Sequence, residues 1–344
     1  MILTRTPFRV SFFGGGSDYP AWYEKHGGAV LACSIDKYCY LSARWRPAFF
    51  PEKSRVVWSE IELVNAHAEL HHPAVRAALQ HLEIDRGVEI HHFADLPSRT
   101  GLGSSSAFTV GLLAALRELQ GESPGPAELA HQAIHVEQRL LKETVGIQDQ
   151  IQTAHGGLNL VRIAQDGSYS LRPIVMPAAR ASALQAHLLL YYTGISRHAS
   201  KIAGSQVQAI SAGGRDEELR LLSDMAVRGA AVLESGNLAE FGQMLNQAWV
   251  IKRGLSPLVS TPEIDALYAA AMQAGALGGK LLGAGGGGFV LLFARSEAQA
   301  AIRESLSTKY LEVPFRIEYS GCRVIYRGEQ LSWERLRDHA LNVA

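Results

Sequence analysis

The sequence predicts a two-domain protein that mixes strands and helices, and three observations carry that reading. A chain of 344 residues exceeds what one hydrophobic core ordinarily holds. Its opening is rich in apolar runs of strand length punctuated by glycine. From Ser104 the periodicity becomes helical, and a second alternation of strand and helix patterns begins beyond a break near Pro177. The division falls at residue 180, separating 1–180 from 181–344.

The first strands are expected at Arg9–Phe13, Ala29–Ile35 and Tyr38–Trp45, parted by "GGGSD" and "HGG". Phe108, Leu112, Ala115, Leu116 and Leu119 then recur at helical spacing from Ser104, with Gly121 as the stop. A second helix is expected from Pro126 to Lys142, its inward stripe formed by Leu129, Ala133, Glu137, Leu140 and Leu141. "GIQDQIQTAHGGLNLVRI" leads into another strand pair. "HLLLYYTG" opens the second segment, "DMAVRGAAVLESG" and "PEIDALYAAAMQAG" read as helices, and "GGFVLLFA" reads as a buried strand. No internal repeat or disordered tract stands out.

Composition narrows the function classes. The chain is 47% hydrophobic and 19% charged, with Lys+Arg 33 against Asp+Glu 33. A balanced charge gives no global field to draw in nucleic acid or an anionic membrane, so phosphate recognition has to be local. No window approaches the roughly 18 uninterrupted apolar residues of a membrane helix. Met1 to Phe13 carries Arg5 and Arg9 and lacks a signal-peptide pattern. Cys33, Cys39 and Cys322 make no C-x-x-C pair, and their odd number argues against a disulfide framework. A cytoplasmic protein is expected. His131 and His135 have i, i+4 spacing but lie opposite the apolar stripe of their helix, which reads as a solvated face rather than a ligand pair.

Three motifs carry chemistry. "LPSRTGLGSSSAF", Leu96 to Phe108, resembles a phosphate loop without the lysine of a Walker-type loop. Gly101 and Gly103 let backbone approach an anion, and Ser104, Ser105 and Ser106 open a helix whose first N–H groups are free to face it. A serine-capped flexible loop would leave the same pattern. Glu137 points inward among apolar neighbours; a buried carboxylate needs a cation or hydrogen bonds, and a divalent metal near phosphates would supply the first. Asp149, in "VGIQDQIQ", is a candidate to receive or orient a substrate proton, although an aspartate in a turn is usually structural. The third motif, "KLLGAGGGGFVLLF" from Lys280 to Phe293, marks a place where backbones or a ligand come close.

The order of the motifs is informative. "TPFRVSFFGGGSDYP", "LPSRTGLGSSSA", "GIQDQ" and "GAGGGGF" together resemble the motifs of the GHMP kinases, the family of galactokinase, homoserine kinase, mevalonate kinase and phosphomevalonate kinase. The resemblance spans nearly the whole chain. It implies an α+β fold in two lobes: an N-terminal ATP-binding lobe with a left-handed βαβ crossover, and a ferredoxin-like C-terminal lobe. It implies ATP and Mg²⁺, with Gly101, Leu102, Gly103, Ser104, Ser105 and Ser106 as the nucleotide phosphate loop and Ser105 and Glu137 as metal ligands. Asp149 matches the catalytic aspartate, and Arg9 the basic residue beside it.

Asp18, with Ser17, falls where sugar-binding members hold hydroxyl groups, and Gly285 and Gly286 match the C-terminal motif beside the substrate. Many members have Gly-Glu-His before that aspartate, whereas this chain has Gly14-Gly15-Gly16-Ser17-Asp18. "GGGSDYP", "YTGISRHAS" and "GALGGKLLGAGGGGF" resemble instead the branch that phosphorylates D-glycero-D-manno-heptose 7-phosphate, with the kinase domain of fucose-salvage enzymes as its relative. A small-molecule sugar phosphate is the expected substrate, with nucleic acid and membrane excluded as partners and a homodimer left open. The product would be a 1,7-bisphosphate, a step toward activated heptose for surface polysaccharide. A distal phosphate needs local cations, and Arg197, Lys201, Lys252 and Arg253, near helix beginnings or loops, are the candidates. Three alternatives stay open: a kinase for an unphosphorylated hexose or deoxyhexose such as fucose, a non-catalytic sensor, and a decarboxylase of the diphosphomevalonate type.

Overall fold

The computed structural model describes residues 1–47, 49–195, 199–211 and 213–328. Their strands form two sheets. The chain opens with β1 (Ile2–Phe13), α1 (Pro20–His26) and β2 (Gly28–Trp45), followed by β3 (Ser54–Val57), β4 (Ile61–Val64), α2 (Pro73–His81) and β5 (Val88–Ala94). β1 begins seven residues earlier than its apolar run, because Ile2 and Thr4 alternate inward ahead of it. β2 is one strand where two were expected. It changes partner along its length, pairing with β6 (Leu158–Ile163) over Gly28–Cys33 and with β5 over Cys39–Trp45, so the polar Asp36-Lys37 step marks a handover rather than a turn.

The helix predicted from Ser104 is present as α3 (Ser104–Leu119), almost wholly buried against β1 and β2. α4 (Pro126–Ile134) starts on a proline at its first position, where the missing N–H costs nothing. It then widens into one π-type turn, His135–Leu140. That turn keeps Glu137 inside but rotates Leu140 outward, so Leu140 leaves the predicted inward stripe and is exposed. α5 (Gln148–His155) takes the place of the expected turn around Asp149. β6 and β7 (Tyr169–Pro173) are the predicted strand pair, and α6 (Ala178–His187) starts at the Pro177 break.

The second sheet follows: β8 (Leu188–Tyr192), α7 (Ala199–Ser211), α8 (Asp216–Ser235), α9 (Leu238–Leu255), α10 (Pro262–Gln273), β9 (Gly278–Leu281), β10 (Phe289–Phe293), α11 (Ser296–Leu306) and β11 (Leu311–Glu312). Its strand order is β11-β8-β10-β9, antiparallel throughout, which is the ferredoxin-like arrangement. The chain then returns to the first sheet: β12 (Ile317–Glu318) pairs with β2, and β13 (Arg323–Arg327) pairs with β1 as an edge strand. These last strands pair across the expected division at residue 180, with partners in the first forty residues of the chain. α8 also packs on β1 and β2, where Gly229 makes room for Phe13 and Leu31. No helix among the described residues is long and apolar enough to cross a membrane.

Candidate active site

β1 delivers the first functional side chain. Its buried Arg9 gives its backbone N–H to the Leu102 carbonyl (2.9 Å), which fastens the strand to the glycine-rich loop. The Arg9 guanidinium grips Asp149 with two bonds, Nε to Oδ1 at 2.7 Å and Nη2 to Oδ2 at 2.8 Å, and Nη1 donates to the Gly101 carbonyl at 2.6 Å. Such a fork–carboxylate pair fixes orientation as well as charge. Gly103 is what lets it sit there: a Cβ at this position would lie 3.0 Å from Arg9 Cγ and 3.4 Å from Asp149 Oδ2, and its φ of 72° is left-handed.

The loop itself is braced by the second sheet. A Cβ on Gly101 would stand 2.4 Å from the Leu282 carbonyl, one on Gly283 would stand 2.4 Å from Gly101 Cα, and one on Gly288 would stand 2.1 Å from the Thr100 carbonyl. The glycine-rich C-terminal motif thus meets the Thr100–Gly103 loop backbone to backbone. Gly283 and Gly288 make this contact, whereas Gly285 and Gly286 pack within the second lobe on Val259, whose carbonyl accepts the Gly286 N–H at 2.9 Å. Gly101–Ser106 lead directly into the N-terminus of the sixteen-residue α3, whose first N–H groups lack intrahelical acceptors.

Glu137 is fully buried and accepts from Ser106 Oγ at 2.9 Å and from Gln150 Nε2 at 2.5 Å, both on Oε2. Its Oε1 is buried with no partner, and burial pushes its carboxyl up to about 7. The expected partner was Ser105. That side chain is exposed, and Ser106 one position on makes the bond, since each helical residue turns the side chain by about 100°. An orphaned oxygen on a carboxylate that also holds a hydroxyl, next to the N-terminus of α3, fits a hard divalent cation with oxygen ligands.

Asp18 closes the group. The turn Gly14–Ser17 brings it inside, where Oδ1 accepts from the Gly16 N–H (3.0 Å) and Oδ2 from the Gln148 N–H (3.4 Å) and Gln148 Nε2 (3.0 Å). Gly146 leaves the space it fills, because a Cβ there would be 1.9 Å from Oδ2. Burial, and then the nearby Asp149 charge, raise its carboxyl above the usual range. Ser17, expected at the substrate, is instead fully buried: its hydroxyl donates toward the Gly14 and Ala29 carbonyls and accepts the Ala29 N–H. Its hydrogen-bonding capacity is spent on the turn.

The four cations proposed for a distal phosphate part company. Arg253 faces solvent and pairs with Asp265 at 2.9 Å. Lys252 is buried in the last turn of α9, not at a helix beginning, and its Nζ donates to the Leu281 carbonyl (3.2 Å) and to the Gly283 carbonyl. Arg197 and the Lys201 side chain lie outside the described residues. Sequence reasoning missed Lys280, buried in β9 with Nζ donating to the Phe12 carbonyl at 2.9 Å, a bond between the two sheets. Burial, with Lys252 and Arg9 nearby, holds its ammonium well below the usual range. A lysine inside an otherwise apolar strand was the available signal. His131 and His135 lie on the exposed face of their helix, as expected.

Two family models match the chain: the GHMP kinases N terminal domain over residues 69–157 and GHMP kinases C terminal over residues 230–312. The sequence is 27% identical over 307 residues to the D-glycero-alpha-D-manno-heptose 7-phosphate kinase of Campylobacter jejuni, covering 85% of this chain and 89% of that protein. It is also 27% identical over 342 residues to the L-fucokinase/L-fucose-1-P guanylyltransferase of Bacteroides fragilis, covering 88% of this chain and 35% of that longer protein. Among solved structures, a D-glycero-D-manno-heptose 1-phosphate kinase from Bacteroides thetaiotaomicron superposes with a TM-score of 0.79 at 20% identity, over 96% of this chain and 100% of that one, which is a likeness of fold.

Proposed function

Because the chain belongs to the GHMP kinases, we propose that it uses ATP and Mg²⁺ to phosphorylate the anomeric hydroxyl of D-glycero-D-manno-heptose 7-phosphate, giving the 1,7-bisphosphate. The observation that carries the chemistry is the Arg9–Asp149 pair seated on the Gly101 carbonyl, which puts a fixed proton acceptor against a loop built for phosphate. The choice of sugar rests on the Campylobacter relative, whose length this chain nearly spans.

In this reading the N–H groups at the start of α3 receive the nucleotide phosphates. Ser106 and Glu137 would hold Mg²⁺, which when bound neutralises phosphate charge. Asp149 orients the anomeric hydroxyl and takes its proton, while Arg9 fixes the carboxylate and faces the charge that develops there. Asp18 accepts from a ring hydroxyl. Because phosphoryl transfer is loose, with little bond-making to the nucleophile, positioning outweighs proton removal. Lys252, Arg197 and Lys201 are the cations assigned to the distal phosphate, and Arg253 is set aside because it is already paired with Asp265. The reaction belongs in the cytoplasm, as a step toward nucleotide-activated heptose for surface polysaccharide.

The Bacteroides fragilis relative supports a second reading, an unphosphorylated deoxyhexose as acceptor. Comparing kcat/KM for heptose 7-phosphate, free heptose and fucose separates the two. A buried charge partner is worth about 2–5 kcal/mol, so the phosphate ester should be preferred over free heptose by at least about 30-fold. Preference for a free sugar overturns the heptose 7-phosphate assignment in favour of the second reading.

A further inference from the structure

The segment that carries Asp149 flanks it with two buried amides, and each holds a different carboxylate. Gln150 Nε2 donates to Glu137 and Gln148 Nε2 donates to Asp18. Both leave their own Oε1 buried without a partner. Gln150 is bonded to Glu137, which also carries an unpartnered Oε1, so its orphan belongs with the cation site proposed above. The Gln148 orphan belongs to a different amide, the one whose nitrogen faces Asp18 and flanks Gly15.

The space there is bounded on a second side. A Cβ built on Gly15 would find two atoms within 4 Å, Gln148 Nε2 at 3.8 Å and Ser11 Oγ at 3.9 Å. Ser11 Oγ is likewise buried with no hydrogen-bond partner, and Gly15 itself is half-buried. Ser11 and Gln148 thus flank Gly15, each with a buried polar atom left unpartnered, which is a standing cost unless a ligand satisfies it. The chemistry of that ligand follows from their donor and acceptor roles. Asp18 Oδ2 already takes the Gln148 backbone N–H, so the amide nitrogen must face it and the free atom is a carbonyl-type acceptor. The Ser11 hydroxyl has a proton to give. A group that donates to one and accepts from the other is a hydroxyl.

We infer that Ser11 and Gln148, with the room left by Gly15 between them, form a subsite that reads one hydroxyl of the acceptor sugar, making Gln148 a specificity-determining residue. The inference rests on the sugar-kinase reading and deepens it. Gln148 has two jobs: its nitrogen positions Asp18, and its oxygen receives the sugar.

The test uses three variants and whichever sugar the wild type turns over best, with its monodeoxy analogues. Gly15→Ala is the cleanest, because Gly15 is not in the left-handed region and its Cβ meets only ordinary contacts, so the fold is kept while the methyl fills the opening. It should raise the sugar KM about tenfold, as should Ser11→Ala, the size expected for a lost hydrogen bond, with ATP KM unchanged in both and the Tm of Ser11→Ala no lower than that of wild type. Gln148→Met should cost more, because it also removes the amide that positions Asp18, and should level one analogue: the deoxy sugar that wild type penalises about tenfold should be penalised no further. An unchanged sugar KM in Gly15→Ala, or equal discrimination among analogues by wild type and Gln148→Met, overturns the subsite alone. Turnover of no sugar by the wild type sinks the sugar-kinase reading and the subsite with it.

Discussion

Arg9 and Asp149 meet through two bonds of 2.7 and 2.8 Å, and the third nitrogen of the same guanidinium reaches the Gly101 carbonyl at 2.6 Å. One strand residue therefore sets the distance between the carboxylate at the start of α5 and the glycine-rich loop. The Asp149 carboxylate and the Gly101 carbonyl are thereby fixed relative to each other by a single planar fork.

Asp149→Asn should keep ATP binding and lower kcat by at least about a hundredfold, the lower range for losing a positioned acid–base group. Arg9→Lys should also lose kcat, because an ammonium keeps the charge but cannot make the fork. Steady-state kinetics with ATP affinity measured separately checks both, and near-normal kcat in Asp149→Asn removes that residue from the mechanism.

Ser106→Ala and Ser105→Ala should differ. Of these two serines Ser106 is the one that donates to Glu137, so its loss should raise the Mg²⁺ concentration needed for half-maximal rate, by about tenfold for one hydrogen bond to a charged group, while Ser105→Ala stays near wild type. Glu137→Gln should raise it further, a neutral amide being a poorer ligand for a hard cation. Mg²⁺ titrations of the rate decide this; an unchanged requirement in Glu137→Gln makes that residue structural.

These outcomes trace what a sequence can and cannot disclose. α3 and its stop were legible because a long apolar stripe has only one regular explanation, and its glycine-rich entry was legible because glycine and serine before such a stripe leave helix N–H groups open. The partner of Glu137 was off by one residue because no local pattern sets the rotation of a helix about its axis. Leu140 was misplaced by a single wide turn, which shifts the helical phase without leaving a mark in composition. Ser17 looked available because its neighbours are glycines, yet the same tight turn consumes its hydroxyl. The return of β12 and β13 to the first sheet, and the Lys280 bond to Phe12, are long-range pairings, and their register is set by the partner rather than by the residues themselves.

Burial lowers the Lys252 ammonium from 10.5 to about 7. The unfolded chain keeps that proton up to its ordinary value, so between pH 7 and 10.5 unfolding takes up a proton and Lys252 makes stability rise with pH. Below pH 7 its penalty is complete. Lys252→Met removes the titration but also strips two carbonyls of a donor, so it should be less stable than wild type at pH 10 and recover ground, relative to wild type, as pH falls to 7. Thermal unfolding of both proteins across that range checks the sign, and a difference in Tm independent of pH contradicts it.

The most direct measurement is ³¹P NMR of the product formed from ATP and D-glycero-D-manno-heptose 7-phosphate. The account predicts a new resonance coupled to the anomeric proton, with the 7-phosphate resonance retained and ADP released in equal amount. A new phosphate on any other carbon, or ADP release with no new phosphate ester, contradicts it.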